Sequence, residues 1–153
     1  MIDIPVIIDL GAFMPEKAHE SDAGYDIKLP MNAVWIDDKY DLVESKVAVP
    51  AGGSATIDTE VHMLIPRGYV GFLKSKSGLN VKNSITGEGV IDAGYTGSIV
   101  VKLYNDSDED YIFKSGNKLI QIVILPVPET SLTRVDKFPE TDRGDNGFGS
   151  SGK

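Results

Sequence analysis

The sequence predicts an all-β sandwich or barrel, on the strength of its hydrophobic pattern and its turns. Apolar and polar residues alternate over residues 98–105, so that Ile99, Val101 and Leu103 fall on one face of a strand. Residues 119–125 form a nearly continuous apolar run that is typical of a buried strand. Segments rich in glycine and proline punctuate the chain at 50–53, 66–68, 86–89, 93–97 and 115–117.

The remaining segments fit the same fold. Residues 75–84, SKSGLNVKNS, are the only stretch whose pattern could hold a short helix. The acidic run at 105–110, NDSDED, predicts a solvated loop between two strands. From Pro126 the composition shifts toward proline and then toward glycine and serine, which predicts an arm that lies outside the sheets.

Length and charge limit the classes of function. The 153 residues fit one domain, which buries about two-thirds of the surface of the unfolded chain. No apolar run approaches the roughly 20 residues of a membrane helix. The first residues carry no basic leader, so we expect an intracellular, cytoplasmic protein without a membrane partner. The net charge of -8 argues against sequence-independent binding to nucleic acid.

The composition also excludes several kinds of site. The chain contains no cysteine, which removes disulfides, thiolate nucleophiles and cysteine-ligated zinc. His19 and His62 are too far apart in sequence for a common zinc motif. A Ser-His-Asp triad has no G-x-S-x-G motif to support it. Carboxylates, hydroxyls and cationic side chains remain as the groups that carry chemistry.

The tetrapeptide DAGY occurs twice, at 22–25 and at 92–95. Paired carboxylates that share a proton would suit an aspartic protease, but alanine follows each aspartate where such a site has Thr or Ser. Two turns that require glycine at positive φ are the simpler interpretation. In the second copy, Gly94 and Gly97 flank Tyr95 in what we expect to be a tight hairpin.

Two further segments have groups suited to an anionic ligand. KSKSGL, at 74–79, places ammonium and hydroxyl donors beside a glycine, although such a lysine pair is more often a solvated strand face. In the tail RGDNGFGSSGK, at 143–153, Arg143 offers a planar fork for phosphate and Phe148 a stacking face. Together with their small neighbours they suit a flexible lid over a planar, phosphorylated ligand. Interpreting RGD as an adhesion tripeptide requires an extracellular protein, which the composition disfavours.

Five segments in order resemble the motifs of the trimeric dUTPases, the deoxyuridine triphosphate nucleotidohydrolases. They are SDAGYDI, KSKSGL, GVIDAGYTG, GNKLIQIVI and RGDNGFGSSG, and they span the chain from about residue 15 to its end. The resemblance implies a jelly-roll β domain at 1–128 and a C-terminal arm at 129–153. It also implies a homotrimer in which all three subunits contribute to each active site, with the arm closing over a neighbouring subunit.

The implied reaction is hydrolysis of dUTP to dUMP and pyrophosphate, which limits uracil in DNA and supplies dUMP for thymidylate synthesis. By similarity, Asp92 activates the water that attacks the α-phosphorus, because an ionised carboxylate can accept its proton. Tyr95 packs against the deoxyribose and rejects UTP. Hairpin backbone from Thr86 to Ile91, including Gly89 and Val90, pairs with the uracil edge.

The resemblance assigns the other ligand contacts as well. Mg²⁺ is the implied cofactor, and Asp26 holds it through water. The implied phosphate contacts are Lys76, Ser77, Gln121, Arg143, Ser150 and Ser151. Gly78 and Gly149 are also implied to bind substrate, and Phe148 stacks on uracil. Two positions depart from the family pattern: Lys76 replaces an arginine and lacks its bidentate fork, and Asn146 replaces a glycine.

Two other functions fit parts of the sequence. The related dCTP deaminases share this fold, but the Asp92 and Tyr95 motif and the Phe148 arm match the hydrolases. A nucleotide-gated regulatory protein, in which bound dUTP orders the arm for a protein partner, is an alternative of a different class.

Overall fold

The computed structural model describes residues 2–32 and 46–145, which form eleven strands and one short helix. The elements are β1 (Val6–Ile8), β2 (Gly24–Lys28), β3 (Lys46–Val49), β4 (Ser54–Asp58), β5 (Val61–Met63), β6 (Tyr69–Lys74), α1 (Ser77–Asn83), β7 (Ile85–Thr86), β8 (Glu88–Ile91), β9 (Val100–Asn105), β10 (Tyr111–Lys114) and β11 (Lys118–Pro126). The all-β prediction is therefore confirmed, as is the short helix expected within 75–84.

The described strands pair antiparallel in four sheets. The largest sheet has the order β2-β11-β6-β8, and a second has the order β4-β9-β7. Two further pairs are β1 with β5 and β10 with β3. Neighbours in a sheet are often distant in sequence, so the sheets bring segments from the whole described chain together.

The core follows the hydrophobic pattern of the sequence. In β9 Val101 and Leu103 are buried while Lys102 and Tyr104 are exposed, as alternation requires. The largest buried side chains include Ile27, Leu29, Ile57, Phe113, Leu119, Ile120 and Ile122. The register of β11 on β2 shifts between Lys118 and Ile120, which allows Leu119 and Ile120 to be buried in succession.

Burial of side chains contributes little to the stability of helix α1. None of its residues is buried, and its N-cap residue Lys76 makes no side-chain capping hydrogen bond. It ends at Ser84, which adopts the left-handed conformation with φ 56° and donates its backbone N–H to the Asn80 carbonyl. The described residues contain no helix long and apolar enough to cross a membrane.

The acidic loop at 105–110 begins with a residue that the sequence pattern did not single out. Asn105 is 1% exposed, and its side-chain amide donates to the Val49 and Glu109 carbonyls at 2.9 and 2.8 Å. Its amide oxygen accepts bonds from the Ser107 backbone N–H and hydroxyl. Four hydrogen bonds thus satisfy a buried side chain in a loop whose other residues are mostly exposed.

Beyond β11, residues 127–145 contain no strand and are exposed. The segment is joined to the 66–68 turn, because the Val127 N–H donates to the Gly68 carbonyl at 2.8 Å and Arg67 pairs with Glu129. The assignment of 129–153 to an arm over a neighbouring subunit stays a prediction.

Candidate functional site

The first part of the site is a buried carboxylate between two ammonium groups. Asp26, on β2, is 4% exposed; its Oδ2 lies 2.7 Å from Lys118 Nζ and its Oδ1 pairs with Lys76 Nζ. Burial by itself raises the pKa of Asp26, but hydrogen bonds from Lys118 and Lys76 outweigh it and the pKa is lowered. The bond to Asp26 correspondingly raises the pKa of Lys118. The carboxylate is therefore held in its ionised form.

Gln121 joins this cluster through strand register. In β11 it lies between Asp26 on β2 and Lys74 on β6, and its Nε2 donates to the Ser75 carbonyl at 3.2 Å. A Cβ atom at Gly24 would lie only 3.1 Å from Gln121 Cβ and closer still to its amide oxygen. Glycine at 24 thus leaves the space that the Gln121 side chain occupies.

Ser75 connects the cluster to the next motif. Its hydroxyl accepts a bond from the Gly87 N–H at 2.9 Å and donates to the Gly87 carbonyl at 3.1 Å. Strands β7 and β8 on either side of Gly87 belong to different sheets, β7 pairing with β9 and β8 with β6. The chain therefore crosses between sheets at Gly87, where a Cβ would lie 2.8 Å from the Lys102 carbonyl oxygen, and residues 86–91 do not form one continuous strand.

The second part of the site is the turn that follows β8. Asp92 is exposed, and its carbonyl accepts the Tyr95 N–H at 3.2 Å. Gly94 has φ +81° and donates to the Ile65 carbonyl at 3.0 Å, which fixes the turn. Because β8 pairs with β6 and the following β9 pairs with β4 and β7, the segment connects two sheets and does not close the expected hairpin.

Tyr95 is fixed within this turn, although its side chain is 45% exposed. The phenol donates to the Ser98 carbonyl at 3.0 Å. A Cβ at Gly97 would lie 2.5 Å from the ring carbon Cζ, so the ring covers a position that only glycine leaves open. We term residues 92–98 the Tyr95 turn.

Asp92 lines a cavity of about 350 Å³ at the start of the Tyr95 turn. The other lining residues are Gly68, Tyr69, Val70, Phe72, Ala93, Val127, Pro128 and Glu129. Asp92 thus lies beside the first residues after β11.

The register separates the two parts within one chain. Ile91 is opposite Gly71 while Glu88 is opposite Lys74, so Asp92, which follows Ile91, lies four residues or about 13 Å along the strands from Lys74, where β6 leads into Lys76. Asp26 on β2 is three strands from β8, or about 14 Å across the sheet. The fold therefore brings Asp26, Lys76 and Gln121 together but leaves Asp92 and Tyr95 elsewhere.

The remaining predicted residues have more scattered positions. Ser77 and Gly78 are exposed at the start of α1, Thr86 and Gly89 are partly buried, and Val90 is exposed on β8. Arg143 lies in the exposed segment after β11. Phe148, Gly149, Ser150 and Ser151, with Asn146, lie outside the described residues.

Lys118 is the site residue that sequence reasoning missed. It precedes Gln121 by three residues, in a motif already singled out, yet its contact with Asp26 depends on how β2 and β11 pair. The sequence shows a lysine at the start of a buried strand, but this pattern does not identify Asp26 as its partner.

The side chains available as metal ligands limit how this site can bind magnesium. The described residues contain no group of three or more acidic or histidine side chains that could hold a metal ion. A single carboxylate such as Asp26 suits Mg²⁺ only through water and only when phosphate oxygens supply the other ligands, because Mg²⁺ keeps several of its waters. The site therefore fits magnesium bound to a phosphorylated ligand.

Fold and site together define an all-β protein that concentrates lysines, a buried carboxylate and amide donors at one end of a sheet. The sequence model of the dUTPase family matches residues 36–152. A deoxyuridine 5'-triphosphate nucleotidohydrolase of Clostridium acetobutylicum is 38% identical over 148 residues, which are 95% of this chain and 92% of the relative. The chain belongs to the dUTPase family.

Solved structures agree with this assignment. A mutant dUTPase of Staphylococcus bacteriophage 80alpha with dUpNHpp matches with a TM-score of 0.84 and 30% identity, covering 100% of both chains. A mutant dUTPase from phage phi11 of S. aureus, solved with a structural Mg(II) ion, matches with a TM-score of 0.74 and 28% identity over 91% of this chain and 100% of the other. The predicted jelly-roll fold is thus confirmed.

Proposed function

We propose that the protein hydrolyses dUTP to dUMP and pyrophosphate. The observation that carries the proposal is the full-length similarity to the dUpNHpp complex of the 80alpha enzyme. The name of that ligand places an NH group where dUTP has the oxygen between its first two phosphorus atoms. The proposed reaction breaks the bond between the α-phosphorus and this bridging oxygen. We therefore assign the same ligand class to this chain.

Asp92 is the proposed general base. Asp92 is exposed and lines a cavity, and the turn that begins at this residue is fixed by Gly94 and Tyr95. A carboxylate so placed can orient water and take its proton as the oxygen attacks the α-phosphorus, an effect of about 10²- to 10⁴-fold on the rate. The leaving group is pyrophosphate, and the base returns the proton to solvent.

We further propose that the working form is a homotrimer with shared sites. Asp92 and the Asp26 cluster lie too far apart in one chain to contact the same phosphate group. Joining the Tyr95 turn of one subunit to the Lys76 end of another brings the base and the phosphate-binding groups together. The arm from 129 onward, with Phe148, would close the site from a further subunit.

The phosphate-binding role falls to Lys76, Ser77, Gly78 and Gln121, with Arg143, Gly149, Ser150 and Ser151 of the arm. Lys76 already contacts an anion, the Asp26 carboxylate, and a triphosphate offers its ammonium further oxygens. When magnesium is bound with the nucleotide, it offsets the charge that develops on the leaving pyrophosphate. Asp26 would hold that ion through water.

The position of β8 at the edge of its sheet provides a physical basis for the selection of uracil. This strand is the last of its sheet in the described part of the chain, with β6 on one side. An edge strand has backbone N–H and C=O groups available on its outer side. We propose that these groups between Thr86 and Ile91 pair with the uracil edge, while Tyr95 packs against the deoxyribose.

The test is pyrophosphate release from dUTP, measured beside dCTP, dTTP and UTP, with magnesium and with chelator. We expect release from dUTP alone and its loss with chelator. Asp92→Asn should lower kcat by at least about 100-fold while preserving dUpNHpp binding. Near wild-type turnover in this variant would refute the base assignment, and no release from wild type would refute the hydrolase.

A regulatory role is the second candidate function. One observation favours it: phage dUTPases similar to this chain are described as controlling transfer of virulence genes by a G protein-like mechanism. In this form of the proposal, nucleotide bound at the same site orders the arm, which then contacts a protein partner. Tight dUpNHpp binding without any pyrophosphate release would favour it over hydrolysis.

A further inference from the structure

His62 links two segments that are distant in sequence. It lies on β5, partly buried, with Nδ1 2.9 Å from the Thr96 carbonyl oxygen and Nε2 3.1 Å from Asp9 Oδ2. Asp9 follows β1, the strand that pairs with β5, whereas Thr96 belongs to the Tyr95 turn. The imidazole thus bridges the N-terminal strand pair and the turn.

Both partners of His62 are hydrogen-bond acceptors. A carbonyl oxygen can only accept, and so can an ionised carboxylate. Neutral imidazole has a single N–H and can satisfy one of the two contacts, whereas imidazolium has two N–H groups and satisfies both. The observed geometry therefore fits the protonated ring.

The surroundings of His62 favour its positive charge. Bonds to the Thr96 carbonyl and the Asp9 carboxylate raise its pKa, with a smaller contribution from Asp58. Glu60, on the β4–β5 connection, has a buried Oε2 without a hydrogen-bond partner, and its pKa is raised by burial and by the charges of Asp58 and Asp9. Asp9, which the ring contacts, and Asp58, which acts through its charge, are the acidic groups that favour the imidazolium.

The same region holds the rest of the Tyr95 turn. The Ser98 hydroxyl donates to Asp58, and the Tyr95 phenol donates to the Ser98 carbonyl. The Ile99 N–H donates to the Val61 carbonyl at 2.8 Å. His62 therefore provides the contact at Thr96, next to the tyrosine, while Asp58 and Val61 anchor the residues that follow.

We propose that protonated His62 is a positioning residue for Tyr95 and that losing its proton relaxes the rejection of UTP. The inference rests on the proposed function, in which Tyr95 packs against the deoxyribose. Deprotonation leaves one of the two bonds of His62 unmade, so the Thr96 carbonyl or the Asp9 carboxylate loses its donor. When the Tyr95 turn is less rigid, the Tyr95 ring is held less firmly at the position where it would collide with the 2′-hydroxyl of UTP.

The test is the ratio of kcat/KM for dUTP to that for UTP, measured from pH 5.5 to 9. Both nucleotides carry the same triphosphate and base, so their own titrations cancel from the ratio. In wild type we expect the ratio to fall by on the order of 3- to 10-fold as pH rises through the raised pKa of His62. His62→Gln, which has one donor group, should show the lower ratio at every pH.

Two variants serve as controls. His62→Lys keeps a permanent charge with several donors and should restore a high ratio that does not change with pH. His19→Gln removes the other histidine, whose exposed ring lies 3.4 Å from Asp22, and should leave the wild-type profile. Identical profiles for wild type and His62→Gln would overturn the proposal while leaving the hydrolase intact.

A second readout does not depend on turnover. The chain has two histidines, so nitrogen NMR of the imidazoles gives two sets of signals that His62→Gln assigns. We expect His62 to titrate above its ordinary value of 6.5 and the Tyr95 and Thr96 amides to exchange faster in His62→Gln than in wild type at the same pH. Unchanged exchange would overturn the positioning role even if the protein proved not to hydrolyse dUTP.

Discussion

Asp26 is a single carboxylate on which the charge balance of one end of the largest sheet depends. It is buried, and it faces the ammonium groups of Lys76 and Lys118. Removing its charge leaves two cations without the partner around which they are packed. The side chain is therefore expected to contribute to folding as well as to any metal contact.

We expect Asp26→Asn to lower the free energy of unfolding by about 1–3 kcal/mol at pH 7. Because the folded state lowers the pKa of Asp26, its contribution is present above the ordinary value of 3.8 and is lost as pH falls through the lowered pKa. Urea unfolding at pH 7 and pH 3 measures both effects, and the difference between the two proteins should be smaller at the lower pH.

Glu88→Gln provides the matched control for Asp26→Asn. Glu88 also pairs with a lysine, Lys74 at 2.7 Å, but its side chain is 75% exposed. Exposed pairs contribute little, so this variant should leave the unfolding free energy almost unchanged. An equal effect of the two substitutions would contradict the importance of burial at Asp26.

At the scale of elements, the chain between Ser75 and Ile91 shows what sequence could and could not predict. The pattern of 75–84 predicted α1, as the apolar patterns of 98–105 and 119–125 predicted β9 and β11, because both depend on local chemistry, whereas 86–89 was expected to be a turn and contains parts of β7 and β8. The strands on either side of Tyr95 pair with distant partners, β8 with β6 and β9 with β4 and β7, so the hairpin expected at Tyr95 was wrong. The contact of Lys118 with Asp26 was missed for the same reason.

Substitution of Gly87 tests whether the chain crosses closely between the two sheets at this residue. A methyl group there would lie 2.8 Å from the Lys102 carbonyl oxygen and equally close to Leu103. Since a backbone carbonyl in a paired strand cannot move far, Gly87→Ala should lower the unfolding free energy by about 1–3 kcal/mol. It should also weaken dUpNHpp binding, because the bonds between Ser75 and Gly87 would be displaced.

Gly78→Ala is the control for the effect of that substitution on stability, with urea unfolding as the measurement, and calorimetry measures dUpNHpp binding by Gly87→Ala against wild type. A Cβ at Gly78 meets no atom within 4 Å, and the residue lies in α1, where alanine is favoured over glycine. Its stability should be unchanged or slightly higher. If Gly87→Ala were as stable as wild type, the space around Gly87 would be larger than the structure indicates.

At the scale of the whole molecule, the separation of Asp92 from the Asp26 cluster is the feature with the widest consequence. The family resemblance supplied the idea of shared sites from sequence, and the register of β6 with β8 supplies its physical reason. Hydrophobic pattern alone contains no such information, because it reports burial within a chain and not which subunit completes a site.

Shared sites predict that two inactive variants complement each other. Asp92→Asn removes the base, and Lys76→Ala removes a phosphate contact from the other part of the site. In a homotrimer assembled from equal amounts of both, a site is intact when its Tyr95 turn comes from the Lys76→Ala subunit and its Lys76 end from the Asp92→Asn subunit. Random assembly gives about one intact site in four, and hence about a quarter of wild-type activity.

The measurement is pyrophosphate release after the two variants are unfolded together and refolded, with light scattering to determine the mass of the assembly. Each variant refolded alone sets the background, and mixing the folded proteins without unfolding controls for subunit exchange. Sites contained within one chain would give no gain on co-refolding, since every chain then carries a defective site. A gain near a quarter requires that Asp92 and Lys76 act together from different subunits, as their positions at opposite ends of β6 and β8 imply.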